Sequence, residues 1–156
     1  MYWYGIIRKV FKMVEKIYVN WNDFEIMMED LTTQIIKEQI QFDSIYGLPR
    51  GGLIPAIILS HIFDVKLIEN KENIKKKTLI VDDISDTGST LIKLNKVYNP
   101  VVTVYSTPWT RYKPICYVAD KLDPESWITF PWEYKIKEGD ENMERQTTLD
   151  EFNKEE

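Results

Sequence analysis

The chain has 156 residues, of which 44% are hydrophobic and 13% aromatic, a length and composition that suit one folded domain with a sizeable core. Its single cysteine, Cys116, excludes an internal disulfide and favours a reducing, cytoplasmic setting, and no apolar run reaches the roughly 18 residues of a membrane span. The net charge is −5, but residues 138–156 alone carry −6, so the remaining body carries +1 and does not have the basic footprint of a nucleic-acid-binding protein.

The predicted elements alternate between helices and strands. Apolar residues at helical spacing predict a first helix from Trp21 to about Gln39. Residues 53–63 predict a second helix, which is hydrophobic on most faces and therefore expected to be buried, with His61 as a core or edge residue. Strands are predicted at 43–48, 65–69, 79–81, 101–106 and 116–119, and a third helical pattern follows at Leu91, Leu94, Val97 and Tyr98. This alternation predicts an α/β fold: a single-domain parallel sheet flanked by helices, with its ligand site beyond the carboxyl ends of the strands.

The loop after the first of these strands, residues 48–52, reads Leu-Pro-Arg-Gly-Gly. Glycines allow the backbone to approach a ligand closely and to expose its N–H donors, and Arg50 adds a fixed positive charge. The loop therefore suits a pyrophosphate group. Taken alone, it is also compatible with a plain turn between a strand and a helix.

The most informative stretch, residues 79–91, reads Leu-Ile-Val-Asp-Asp-Ile-Ser-Asp-Thr-Gly-Ser-Thr-Leu. The aliphatic residues predict a buried parallel strand that ends at Asp82 and Asp83. A third carboxylate, Asp86, precedes a small hydroxyl-rich turn formed by Thr87, Gly88, Ser89 and Thr90. The turn and the start of the next helix attract a phosphate, while the paired carboxylates can accept hydrogen bonds from ribose hydroxyls or hold a hydrated Mg²⁺. We therefore predict a pocket for a phosphorylated sugar.

Other interpretations explain less of this stretch. A Walker B strand would need a G-x-x-x-x-G-K-[ST] loop, which the chain lacks. The phospho-acceptor of a receiver domain would account for one aspartate and leave the turn unexplained. An ordinary strand followed by a capped helix, with Asp86 or Thr87 as the cap, seldom carries three carboxylates as well.

The stretch around Asp82 resembles the phosphoribosyl-pyrophosphate (PRPP) fingerprint of type I phosphoribosyltransferases. Over residues 17–133 the chain is similar to the bacterial and archaeal xanthine-guanine branch, through the segments at 18–21, 49–55, 107–110 and the ending Trp-Ile-Thr-Phe-Pro-Trp-Glu at 127–133. The resemblance implies a type I fold with a reduced hood and a Mg²⁺- and PRPP-dependent transfer of phosphoribose to a purine. Guanine, xanthine or hypoxanthine is favoured, and homodimers or homotetramers are common in the family.

The resemblance also implies roles for individual residues. Asp82 and Asp83 would hold the ribose hydroxyls directly or through Mg²⁺, and Asp86 would manage a proton at N7 of the purine. The turn from Thr87 to Thr90 would bind the 5′-phosphate, and Arg50 and Gly51 would contact pyrophosphate, often through a strained or cis peptide. The base-binding residues would be Thr107, Trp127, which covers the purine face, and Ile128, whose backbone reads an exocyclic group. Core packing is the alternative for Trp127 and the preferred interpretation of Trp132.

The sequence departs from the family pattern in two places. The family usually has a lysine at the position of Thr107, which donates to the 6-oxo group of the base. The Thr107 hydroxyl can donate or accept, so it suits a 6-oxo or a 6-amino group, and adenine stays open as the base. Lys113 or Arg111 could reach in, although both are expected to be surface charges. The family's long flexible hairpin is reduced to residues 70–77, too short to cover a bound nucleotide. The alternative function is therefore a non-catalytic PRPP- or nucleotide-binding regulatory protein.

The two ends lie outside the domain predicted at residues 17–137. Residues 1–16 form an N-terminal extension without the pattern of a signal peptide, and the acidic residues 138–156 predict a solvated tail without fixed structure. Within the tail, Gln146, Leu149 and Phe152 have the spacing of a sliding-clamp-binding peptide, although a plain acidic tail is the favoured interpretation.

Overall fold

The computed structural model describes residues 16–95 and 99–133. The clamp-like Gln146, Leu149 and Phe152, the tail, nearly all of the N-terminal extension and the helical positions Val97 and Tyr98 lie outside these residues. Within them, no helix is long and apolar enough to cross a membrane.

The centre of the fold is a parallel sheet of five strands. In chain order the described elements are β1 Lys16–Tyr18, α1 Trp21–Lys37, β2 Ser44–Gly47, α2 Leu53–Phe63, β3 Lys66–Ile68, a 3-10 turn at Lys71–Asn73, β4 Thr78–Ser85, α3 Ser89–Leu94, β5 Val101–Ser106, β6 Cys116–Asp120 and β7 Trp127–Thr129. The sheet order is β3-β2-β4-β5-β6, and every pairing is parallel, as predicted. The strand order reverses between β2 and β4, and open α/β sheets bind their ligands at such a switch point.

The sheet is covered on both faces. α1 and α2 contribute Phe24, Leu31 and Leu59 to a large core that includes Leu79 and Val81 of β4. The opposite face carries a smaller cluster, in which Ile80 and Val101 pack with Leu91 of α3. Leu79, Ile80 and Val81 thus alternate between the two faces, which is why the strand reads as a continuous apolar run.

A second, two-stranded parallel sheet joins β1 to β7 and forms the hood beside the main sheet. Aromatic contacts attach it to the core: Trp132 stacks on Phe130 and meets Phe24 edge to face, and Phe130 meets Tyr105 of β5. The core-packing prediction for Trp132 is confirmed.

Two sequence predictions need correction. The strand with the paired carboxylates does not end at Asp82, because β4 continues to Ser85 by pairing with β5 as far as Ser106. The second helix is also less buried than predicted: Pro55, Ala56 and Leu59 are buried and three further apolar side chains are partly buried against the core, because one face of α2 contacts the sheet. Its other face leaves Leu53, Ile57 and Ile62 exposed. His61 lies on the exposed side, so it is not a core residue.

Candidate active site

The loop after β2 lies directly on the carboxyl half of β4. The Leu48 N–H donates to the Val81 carbonyl at 2.9 Å, and the peptide bond between Pro49 and Arg50 is cis. A Cβ atom at Gly51 would overlap the Asp83 carboxyl group. The structure therefore brings the two predicted motifs together, and only a residue without a side chain fits at position 51.

This packing predicts the effect of Gly51→Ala. The added methyl group must displace the Asp83 side chain, and we expect a loss of about 1–3 kcal/mol in the free energy of unfolding, as for other overpacked sites. Combining it with Asp83→Ala should recover most of this loss, since the overlapping atoms are then gone. Urea unfolding of wild type, both single variants and the double variant measures the coupling. Strictly additive effects would show that Asp83 is not the group that excludes a side chain at position 51.

Asp82 and Asp83 are half-buried neighbours on the same strand. Each carboxylate accepts the next backbone N–H, from Asp83 at 2.9 Å and from Ile84 at 2.7 Å. Burial first, and then the charge of Asp83, raises the pKa of Asp82 to about 8, and burial likewise raises the pKa of Asp83. The pair therefore favours ligands that donate hydrogen bonds or carry positive charge.

The same pair fits a magnesium ion of the type that two carboxylates share with substrate phosphates and water. Among residues 16–95 and 99–133, no cluster of three or more His, Cys, Asp or Glu side chains could hold a metal by itself. The described residues thus form no protein cage for calcium or zinc, whereas Mg²⁺ held jointly with a phosphorylated ligand needs no third protein ligand.

Cys116 is buried in the core, and burial raises the pKa of its thiol, as expected for a structural cysteine.

The hydroxyl-rich turn follows β4 and leads into α3. Gly88 adopts the left-handed conformation with φ +76°, and a Cβ atom there would lie 2.5 Å from the Tyr112 nitrogen, so glycine is required on both counts. Thr87 and Ser89 are linked through their hydroxyls at 3.0 Å. The Arg111 guanidinium donates to the Ser89 hydroxyl at 3.0 Å, which places a positive charge on the predicted phosphate turn. Arg111 is exposed, as the sequence predicts, and its guanidinium contacts the turn.

Asp86 is held by three residues that lie beyond the carboxyl ends of β5 and β6. Its carboxylate accepts hydrogen bonds from the Trp109 indole N–H at 2.9 Å and from the Lys121 ammonium at 3.2 Å. The buried Thr107 hydroxyl donates to the Asp86 backbone carbonyl at 2.6 Å. These contacts fix Asp86 between the ends of β4, β5 and β6, and the carboxylate side chain remains 45% exposed.

Lys121 and Trp109 both contact Asp86, and the sequence interpretation gave neither a role in the site. Lys121 is the less accessible of the two to sequence reasoning. Lys121 directly follows β6, and its side chain is only 6% exposed. The rule that carboxyl ends of parallel strands meet at one edge would have found it, had it been applied to the end of β6 as well. The two cations that the sequence offers for the base make other contacts: Lys113 donates to the Tyr117 hydroxyl, and Arg111 donates to Ser89.

The hood presents the two remaining predicted base contacts. Trp127 is 60% exposed, whereas the Ile128 side chain is buried in the core. The Thr129 carbonyl accepts from the Val19 N–H at 3.0 Å, so it points towards β1. Because backbone groups alternate along a strand, the N–H and C=O of Ile128 point to the other edge of β7, which pairs with no strand in the described ranges. Trp127 thus offers a ring face and Ile128 offers free backbone groups.

The connection between β3 and β4 does not reach over the site. It contains the 3-10 turn Lys71–Asn73, and Ile74 packs against the smaller core cluster on the sheet. The Lys77 carbonyl accepts from the Asp43 N–H at 3.1 Å, and the Lys75 carbonyl accepts from the Thr78 N–H at 3.1 Å. The segment therefore serves as a crossover along the sheet, which agrees with the prediction that it cannot cover a nucleotide.

Comparison with known proteins identifies the fold. No protein-family model matches the sequence. A purine phosphoribosyltransferase from Pyrococcus horikoshii is 32% identical, with a TM-score of 0.62, over 78% of this chain and 97% of that protein. A xanthine-guanine-hypoxanthine phosphoribosyltransferase from Helicobacter pylori, 20% identical over 86% of this chain and 99% of its own, shares the fold with a TM-score of 0.68. A hypothetical protein from Neisseria gonorrhoeae with bound ppGpp, 18% identical over 90% and 98%, does so with a TM-score of 0.59. From the parallel sheet, the fingerprint on β4 and the first of these similarities, we conclude that this chain belongs to the type I phosphoribosyltransferase family.

Proposed function

We propose that the protein transfers phosphoribose from PRPP to a purine base, giving a nucleoside monophosphate and pyrophosphate, with guanine, xanthine or hypoxanthine as the favoured bases. The observation that carries this proposal is the convergence of three loops at one edge of the sheet. Gly51 lies against Asp83, and Arg111 lies on the turn at Ser89. Asp86 stands between Asp83 and Ser89 in the sequence, directly after β4 ends at Ser85. PRPP needs such an arrangement, because its pyrophosphate, its ribose and its 5′-phosphate each require a separate group of binding residues.

Each loop supplies one part of the binding site. Arg50 and the backbone of Gly51 bind the pyrophosphate, and Asp82 and Asp83 accept hydrogen bonds from the two ribose hydroxyls. The turn from Thr87 to Thr90 binds the 5′-phosphate, with Arg111 adding a charge-assisted contact. Trp127 covers the face of the base, and the backbone of Ile128 contacts an exocyclic group.

The reaction forms a bond from a ring nitrogen of the purine to C1 of the ribose and breaks the bond from C1 to pyrophosphate. The bond electrons leave with pyrophosphate, and Asp86 accepts the proton that the base loses, at N7. Mg²⁺, when bound with PRPP, would neutralise negative charge on the leaving group. The protein's own contribution is to align the base with C1 and to hold both charged ends of the sugar in place.

A second candidate function follows from the crossover at residues 70–77. Because this segment packs on the sheet through Ile74, it offers no lid that excludes water from the reaction. A regulatory protein that binds PRPP or a nucleotide without turnover would need the pocket and no lid.

The test is pyrophosphate release from PRPP and Mg²⁺ with guanine, xanthine, hypoxanthine, adenine or no base. We expect release only when a purine is present. Release that is the same without a base would show a hydrolase and would contradict the transfer proposal. Binding of PRPP without any release would favour the regulatory function.

A further inference from the structure

We infer that Lys121 determines which purine the site accepts, by donating a hydrogen bond to the 6-oxo oxygen and disfavouring a 6-amino group. The inference rests on the proposed function, since it uses Asp86 as the contact at N7. Its starting observation is a lysine with a 6% exposed side chain whose ammonium lies 3.2 Å from the Asp86 carboxylate.

The position of Lys121 is fixed by the backbone. Its N–H donates to the Ser106 carbonyl at 2.8 Å, so the residue is tied to the end of β5 immediately after β6 ends at Asp120. Lysine side chains usually extend so that the ammonium reaches water, and lysines are almost never fully buried without a partner. In this protein the Lys121 side chain is directed instead towards Asp86, whose carboxylate is 45% exposed. A ligand that reaches this carboxylate therefore meets the ammonium as well.

The ammonium has donors to offer. It carries three N–H groups and no acceptor, and the hydrogen bond to Asp86 engages one of them. Its nitrogen also lies 5.9 Å from the centre of the Trp109 ring, whose own N–H is directed at the other oxygen of Asp86. Asp86 and Lys121 thus form an acceptor and a donor side by side.

This arrangement matches one edge of a 6-oxopurine. In the free base that carries its imidazole proton on N7, this edge offers an N7–H donor to Asp86 and, next to it, a 6-substituent that is an acceptor in guanine and hypoxanthine and a donor in adenine. With Asp86 at N7, the adjacent ammonium faces position 6. An oxo group accepts its hydrogen bond, whereas an amino group leaves a buried charge opposite another donor.

Other side chains near the site are engaged in different contacts. The Thr107 hydroxyl donates to the Asp86 backbone carbonyl, and Arg111 and Lys113 donate to Ser89 and Tyr117. Among the described residues, Lys121 is the cation that contacts Asp86.

The test compares Lys121→Met and Lys121→Gln with the control Lys113→Met, a lysine close in sequence whose ammonium contacts Tyr117. Calorimetric titration with GMP, IMP and AMP reports selectivity without requiring turnover, and because N7 is unprotonated in all three nucleotides, the difference between IMP and AMP isolates the 6-substituent. In wild type we expect GMP and IMP to bind more tightly than AMP. Lys121→Met should lose about 10- to 100-fold in affinity for GMP and IMP with little change for AMP, while Lys113→Met behaves as wild type.

The glutamine variant separates recognition from structure. Its amide offers an acceptor to a 6-amino group, so it should raise the affinity for AMP relative to GMP, which a merely destabilised protein would not do. An unchanged ratio of GMP to AMP affinity in both variants would overturn the inference. If wild type binds these nucleotides selectively but releases no pyrophosphate, the transferase proposal fails while the selectivity result still decides the role of Lys121; if it binds none of them, both fail.

Discussion

Replacing Asp86 by asparagine is expected to lower kcat by about 10²- to 10⁴-fold, the usual contribution of a general base. Asparagine keeps the size and an oxygen acceptor for the Trp109 indole, but it cannot take up the proton that the base loses. The affinity for PRPP should change little, because the pyrophosphate, ribose and phosphate contacts come from other residues. Steady-state kinetics with saturating base, together with calorimetric titration of PRPP, measure the two effects separately.

The matched control is Asp120→Asn, an exposed carboxylate at the end of β6 beside Lys121. It removes the same charge from the same edge of the sheet and should leave both kcat and PRPP binding near wild type. An equal loss of turnover and PRPP affinity in Asp86→Asn would remove Asp86 from the role of proton acceptor.

The stability of the free protein is expected to fall as pH rises from about 4 to 8. The pKa of Asp82 is about 8 in the folded chain, against an ordinary value near 3.8, so across this range the folded protein holds a proton that the unfolded chain has released. The stabilisation is complete below the unfolded pKa and is lost as pH rises through the folded one. This group alone contributes at most about 1.4 kcal/mol per pH unit.

Asp82→Asn should remove most of that pH dependence and should make the protein more stable than wild type at pH 8.5. Urea unfolding of both proteins at pH 5.5, 7.0 and 8.5, in buffer with a chelator, provides the comparison. Parallel pH profiles for the two proteins would show that Asp82 ionises as freely in the folded protein as in the unfolded one.

The long elements could be predicted because their patterns were strong. α1, α2 and β5 follow from helical spacing and from a continuous apolar run, and the structure places them at nearly the predicted bounds. The hood strands β1 and β7 have three residues each, and such segments carry no readable period. The partial exposure of α2 could not be predicted either, because a helix that is apolar on nearly all sides does not indicate which of its faces lacks a packing partner.

The candidate site was predictable where one short segment carries several groups. Asp82, Asp83 and the turn at 87–90 lie within nine residues, so their chemistry is visible in the sequence. Lys121 is 35 residues from Asp86 along the chain and reaches it only because β5 places the ends of β4 and β6 on either side of itself. Arg111 is exposed, as expected, but its contact with Ser89 could not be predicted, because the loop that places it there has no local signature.

The most direct test of the account is the ratio of products formed by the wild-type protein from PRPP, Mg²⁺ and guanine. Chromatography of one reaction quantifies guanosine monophosphate and pyrophosphate together, with the slower variant Asp86→Asn as the reference. We predict equal amounts of the two products, rising together with time. Pyrophosphate without the nucleotide, or neither product from a protein that binds PRPP, would contradict the central claim that this site transfers phosphoribose to a purine.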